Sequence, residues 1–302
     1  MHSNTESRIS MSAQCVPSGI SSLLYERKKM EIKWIGPDDE AMKLTRKRDL
    51  LFLTFPDLDR ESWLLNAFST RFGGVSTEHL SSMNLDFERG DKEENVRTNF
   101  ERIAAAVGFD TKNMVLTHQT HTTNVRRVGA EDRGKGFDRP GFHDVDGLIT
   151  DEPSVVLVTF YADCVPLYFV DPEHRAIGLS HSGWRGTAER MGAGTIAKMR
   201  EEFGSDPRKM KAAIGPSICR DCYEVSEDVA EKFPGYFVKP KGGGKYLLDL
   251  QGVNRSIMVE EGIPMSSISM PGLCTACNPD LLFSHRASHG MRGTNAGFLE
   301  IR

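Results

Sequence analysis

No apolar run in this 302-residue chain approaches the roughly 20 residues needed to cross a bilayer, so a membrane span is not expected. The Ser-rich, polar N-terminal stretch holds no apolar segment of the kind that a secretory signal requires, and a cytoplasmic location is expected. Basic charge is not in excess. Lys and Arg number 38 against 42 Asp and Glu, for a formal net charge of −4. That balance argues against a general nucleic-acid or membrane surface but leaves room for a local basic pocket that takes one phosphate. The nine histidines include no H-x-H pair, which a multicopper oxidase site would need. Internal repeats and low-complexity linkers are also missing after residue 36. Together these absences point to one soluble domain, residues 36–302, behind a disordered extension, residues 1–35, with small molecules rather than polymers as ligands.

Hydrophobic residues make up 39% and charged residues 26%, a composition that sustains a packed core. Val96, Phe100, Ile103 and Val107 fall at helical spacing before Gly108, and Ala188, Met191, Thr195, Met199 and Phe203 do so before Gly204. Asp249 is placed to cap a third helix that ends before Gly262. Short apolar runs at 114–117, 155–160, 165–170, 176–179, 212–214 and 298–301 read as strands, and Glu31 to Ile35 has strand alternation. Helices and strands are interspersed without regular βαβ order, so the expected fold is α/β, with layered mixed sheets flanked by helices. Six cysteines without a signal peptide read as thiols or ligands. Four of them form two C-x-x-C pairs, Cys219/Cys222 and Cys274/Cys277. A zinc site would require the two segments to meet in space. Flanked by core-like sequence, these pairs are assigned a structural or accessory role.

The segment 161–181 carries the strongest local signal. Asp171-Pro172 is good turn chemistry between two apolar runs. A turn centred between Pro172 and Glu173 sets Cys164 opposite His181, with Cβ atoms roughly 4.5–5.5 Å apart on one face of an antiparallel pair. That is a suitable bite for a metal ion. A third ligand is expected from His118-Gln119-Thr120-His121, whose two histidines cannot easily point the same way along an extended chain.

These segments belong to a wider set: H-Q-T-H at 118–121, D-G-L-I-T-D at 146–151, A-D-C-V-P-L at 162–167, H-S-G-W-R-G at 181–186 and I-G-P-S-I at 214–218. T-R-F-G-G-V-S at 70–76, N-L at 84–85, C-Y-E-V at 222–225 and F-S-H-R at 283–286 complete it. In this order the set resembles the YfiH-like proteins, the laccase-domain or multicopper polyphenol oxidoreductase family, now regarded as purine nucleoside phosphorylases. The resemblance implies metal ligands at His121, Cys164 and His181 and a fold shared with cytotoxic necrotizing factor toxins. Thr122 stands where the family commonly has Gly.

A His/Cys/His set leaves a fourth position open, and zinc there lowers the pKa of bound water toward about 7. The reaction implied by the resemblance is phosphorolysis of adenosine, inosine, guanosine or methylthioadenosine to the free base and ribose 1-phosphate. Deamination of adenosine is a side reaction to consider, although the H-x-E…P-C-x-x-C signature of the base-editing zinc deaminases is missing. Phosphate and substrate contacts are expected from Arg71 beside Phe72-Gly73-Gly74, from Arg185 and from Asn84. Zinc is the expected ion and copper the alternative. A cysteine hydrolase or deamidase with Cys164 as nucleophile and His181 as base, or a copper-dependent polyphenol oxidase, are the competing readings. A monomer or homodimer is expected.

Overall fold

Apolar runs that alternate between two buried faces build the centre of this protein. In the strand Val165–Asp171, Val165, Leu167 and Phe169 join one hydrophobic core, while Tyr168 turns to the opposite side and is fully buried there. In Val156–Tyr161, Val156 and Val158 enter a second core, while Tyr161 faces away from it. Strands covered on both faces are what continuous apolar runs produce.

The computed structural model describes residues 31–35 and 42–302, of which Ile32–Arg302 form one unit. Most of the expected N-terminal extension lies outside the described residues. Its last part is attached: Lys33 exchanges bonds with the Asn278 amide, Trp34 bridges to Leu273, and Ile35 N–H donates to Gly272 O at 2.8 Å.

Two six-stranded mixed sheets stack face to face. The first runs, in spatial order, Lys43–Lys47, Leu50–Thr54, Leu64–Ser69, Asn295–Ile301, Val156–Tyr161 and Met114–Leu116. The second runs Ile268–Ser269, Lys211–Ile214, Val165–Asp171, Ala176–Ser182, Gly147–Thr150 and Val125–Arg127. A small third sheet holds Glu224–Ser226, Lys245–Leu248 and Val238–Gly242. The helix Glu93–Val107 covers the first sheet through Val96, Phe100 and Ile103 and stops at Gly108, whose φ of 101° only glycine adopts easily. The helices Met191–Phe203 and Leu250–Glu260 cover the second, the latter capped by Asp249, which accepts from Gly252 N–H. The expected layered α/β architecture is therefore present. No helix among the described residues is long and apolar enough to cross a membrane.

The sheets are joined by two tyrosines. Tyr168 donates to Ala67 O at 2.9 Å, and Tyr161 donates to Ser180 O at 3.1 Å. Gly297 makes this approach possible, because a Cβ there would lie 2.6 Å from the Tyr168 hydroxyl. Gly297→Ala is therefore expected to lose about 1–3 kcal/mol by overpacking and a broken buried hydrogen bond, read as a lower urea midpoint with an unchanged slope.

Candidate active site

The hairpin that carries Cys164 and His181 has a longer turn than the sequence suggests. Asp171 pairs with Ala176, and Pro166 with His181, which moves the centre to between Glu173 and His174. The reason lies in Asp171, whose side chain accepts from both the Glu173 and His174 amides and from His174 Nδ1, while Arg175 takes a left-handed φ of 48°. Cys164 is thus not directly opposite His181. It lies just before its strand, in a bend that follows Asp163 at φ 87°.

The two side chains still converge, and His121 joins them. One donor atom from each of His121, Cys164 and His181 lies within 4.8 Å of the others. The His121 and His181 rings meet edge to face, with centroids 5.0 Å apart. Gly183 leaves space for this trio: a Cβ there would lie 3.0 Å from His121 Cδ2 and 3.2 Å from Cys164 Sγ. His118, the other histidine of its motif, does not join the trio; it lies in the same cavity with its ring 5.6 Å from that of His143.

Asp146, fully buried, fixes the geometry. Its Oδ1 accepts from His181 Nδ1 at 2.7 Å and from His121 N–H at 3.2 Å, and its Oδ2 accepts from the Thr120 and Thr122 amides. With Nδ1 so engaged, His181 presents Nε2 to the site, the arrangement that orients a metal-bound imidazole. The same bonds hold His121 at its left-handed φ of 66°. Burial pushes the Asp146 carboxyl up, but its bond to His181 and the amide donors outweigh this and hold it below its ordinary range. Burial likewise pushes the Cys164 thiol up, yet the His181 charge and the imidazole hydrogen bonds bring it down to about 6. Burial lowers His181, and the Cys164 and Asp146 charges reverse this and raise it to about 9. A thiolate flanked by two imidazoles is a donor set that suits zinc or copper.

The trio lies at one wall of a cavity of about 530 Å³. Phe87, Phe142 and Phe160 contribute aromatic surface, and Arg89 and Arg292 contribute positive charge. Arg292 Nη1 donates to Thr294 Oγ1 at 2.8 Å, but its buried Nε has no partner among the described residues. Burial first, then the neighbouring Arg89 charge, lowers Arg292 to about 10, so it remains protonated at neutral pH. Arg89 is tied through Nε to Asp86 Oδ2 at 3.0 Å. The buried His118 Nδ1 also lacks a partner among the described residues.

The three expected phosphate or substrate contacts do not line this cavity. Arg71 sends Nε and Nη2 to Ser81 O and Nη1 to Pro279 O, and stacks 4.8 Å over Phe283. Its guanidinium ties two loops together through their carbonyls. Arg185 is exposed and stacks 4.2 Å over Trp184. Asn84 is fully buried, donating to Asp86 O and Asp91 Oδ2 and accepting from Asp86 and Thr294 N–H. Its bonds tie together two segments that line the cavity. The sequence reading missed Asp146, although its motif was visible, and it missed Arg89 and Arg292, which carried no motif.

The family model described as multi-copper polyphenol oxidoreductase laccase matches residues 65–302. Purine nucleoside phosphorylase YlmD of Bacillus subtilis is 35% identical over 247 residues, covering 79% of this chain and 89% of that protein. A purine nucleoside phosphorylase of Deinococcus radiodurans is 38% identical over 232 residues, covering 76% and 85%. Among solved structures, YlmD of Geobacillus stearothermophilus superposes with a TM-score of 0.81 at 31% identity, covering 86% of this chain and 98% of that one. The hypothetical protein YfiH of Bacillus licheniformis gives a TM-score of 0.80 at 32% identity, covering 86% and 99%.

Proposed function

This chain belongs to the multi-copper polyphenol oxidoreductase laccase family, and from that premise we propose that it is a metal-dependent purine nucleoside phosphorylase. The observation that carries this reading is a single cavity that combines His121, Cys164 and His181 with two arginines and three aromatic walls. Zinc, with copper as the alternative, would be held by the trio and would supply a Lewis acid beside the substrate. The phosphate role proposed from the sequence for Arg71, Arg185 and Asn84 passes to Arg89 and Arg292. Both line the cavity with their positive charges.

In this reading the guanidinium groups hold phosphate in line with the ribose anomeric carbon. A phosphate oxygen forms the new bond to that carbon as the glycosidic C–N bond breaks and its electron pair leaves with the purine. His118, which also lines the cavity, is the candidate in this reading for delivering a proton to the departing base. Phe87, Phe142 and Phe160 provide apolar faces for the purine and exclude water from the reacting carbon. Deamination of adenosine would use water in place of phosphate at the same site.

Incubating the metal-loaded protein with adenosine, inosine, guanosine and methylthioadenosine, each with and without phosphate, separates these outcomes. Free base and ribose 1-phosphate formed only with phosphate are expected. Phosphate-independent base release would replace the proposal with a hydrolase, and inosine as the main product from adenosine would replace it with a deaminase. The Cys164–His181 pair also suits a cysteine hydrolase, because its thiol is held near 6. That chemistry would survive full removal of metal by a chelator, whereas phosphorolysis is expected to stop.

A further inference from the structure

The two C-x-x-C pairs meet. Cys219 and Cys222 flank the short turn after Ile218, Cys274 and Cys277 lie in the turn after Leu273, and Ser217 bridges to Cys274 between them. All four sulfurs lie within 4.8 Å of one another. Cys222 Sγ is 3.4 Å and Cys219 Sγ is 4.0 Å from Cys277 Sγ. Sulfurs at the corners of a tetrahedron around zinc, with Zn–S near 2.3 Å, stand roughly 3.8 Å apart, and these two distances lie on either side of that value. A disulfide would need about 2.05 Å. The Cys219 and Cys277 amides donate to Cys274 Sγ at 3.2 and 3.4 Å, an arrangement that stabilises a thiolate more than a thiol. None of the four belongs to the His121/Cys164/His181 trio.

We propose that Cys219, Cys222, Cys274 and Cys277 form a second, structural metal site that takes one zinc ion through four thiolates. Four protein ligands close the coordination sphere, so the ion has no open position for substrate and acts as a clasp. What it clasps follows from the hydrogen bonds around it. Thr275 Oγ1 donates to Asp163 Oδ1 at 2.6 Å, Arg286 N–H to Asp163 Oδ2 at 2.7 Å, and Ile218 N–H to Asp163 O at 3.0 Å. The Arg286 guanidinium continues to Cys222 O and Glu224 O. Both cysteine-bearing loops therefore grip Asp163, whose left-handed φ of 87° sets up the bend that presents Cys164. The ion holds together the two loops that brace the active-site cysteine from behind.

The test uses the full-length protein produced with zinc, and two variants. Wild type is expected to hold about two zinc ions per chain, and His121→Ala/Cys164→Ala about one, because only the four-thiolate site remains in the latter. After exchange of zinc for cobalt, that variant should show the intense thiolate-to-cobalt charge-transfer bands and the tetrahedral visible bands of a four-sulfur site. Cys219→Ser/Cys222→Ser should also hold about one zinc and melt about 10 °C or more below wild type. Should this variant fail to fold, the metal content and cobalt spectrum of His121→Ala/Cys164→Ala still decide the matter. No metal in that variant, with its remaining thiols freely titratable or paired as a disulfide, would overturn the proposal. So would a Cys219→Ser/Cys222→Ser protein that keeps full metal content and melting temperature.

Discussion

His121→Ala and Cys164→Ala each lose about one equivalent of bound metal per chain and on the order of 100-fold or more in turnover, while the fold remains. The expectation rests on ligand number. Three protein donors are the minimum that holds a catalytic zinc, so removing one leaves two, and the ion dissociates. His121 is exposed, and its removal should cost little stability. Cys164→Ala deletes one atom beside Gly183. His181 is a poorer probe, since its loss would leave the buried Asp146 carboxylate without its main partner. Asp146→Asn tests the support instead, because it keeps the shape and disturbs the His181 tautomer. Loss of such an orienting partner costs about 10–100-fold in metal affinity or activity. Metal analysis and nucleoside turnover on the same preparations provide the check. Full metal in both ligand variants would sink the site. Inactive Cys164→Ala beside fully active His121→Ala would favour a nucleophilic cysteine.

The sequence made parts of this molecule legible because local physics decided them. The helix Glu93–Val107 follows from Val96, Phe100 and Ile103 on one face and from Gly108 at its end, and a nearest-neighbour pattern is enough to see it. The order of strands is different. Asn295–Ile301 lies between Leu64–Ser69 and Val156–Tyr161, a placement set by pairing across most of the chain. Gln119 shows the same limit at a single residue. Its side-chain amide accepts from Phe160 N–H and donates to Phe160 O, so a side chain takes the place of a strand neighbour.

At the site, the nearness of Cys164 and His181 was readable from two apolar runs around Asp171-Pro172, but the register was not. The carboxylate of Asp171 captures two amides and the His174 ring, and lengthens the loop. Because the centre moved by one residue, each pairing moved by two, and the alternation that sends side chains to one face was preserved. Arg71 shows what spacing alone leaves open. An arginine beside Phe-Gly-Gly looks like an anion cradle, yet its fork meets the carbonyls of Ser81 and Pro279. Only the folded chain distinguishes the two uses.

Arg292→Ala raises the KM for phosphate about 10- to 100-fold, whereas Arg71→Ala leaves that constant unchanged and lowers stability. A hydrogen bond to a charged group contributes about 1.5–3 kcal/mol, which is the stated range when one guanidinium is withdrawn from a phosphate. Arg292 is the stronger of the two cavity arginines, because Arg89 already gives its Nε to Asp86 while the buried Arg292 Nε has no partner among the described residues. The two positive charges oppose one another, as the lowering of Arg292 to about 10 by burial and by Arg89 records, and a bound dianion would relieve that repulsion. Arg292→Lys keeps a charge but loses the planar fork, and its KM should lie between those of wild type and Arg292→Ala. Arg71→Ala breaks bonds to backbone carbonyls of two loops and should cost about 1–3 kcal/mol in urea unfolding. Initial rates at several phosphate concentrations, measured for all three variants where each is folded, supply the comparison. A phosphate KM that rises in Arg71→Ala and stays fixed in Arg292→Ala would return the anion site to Arg71 and the turn beside it.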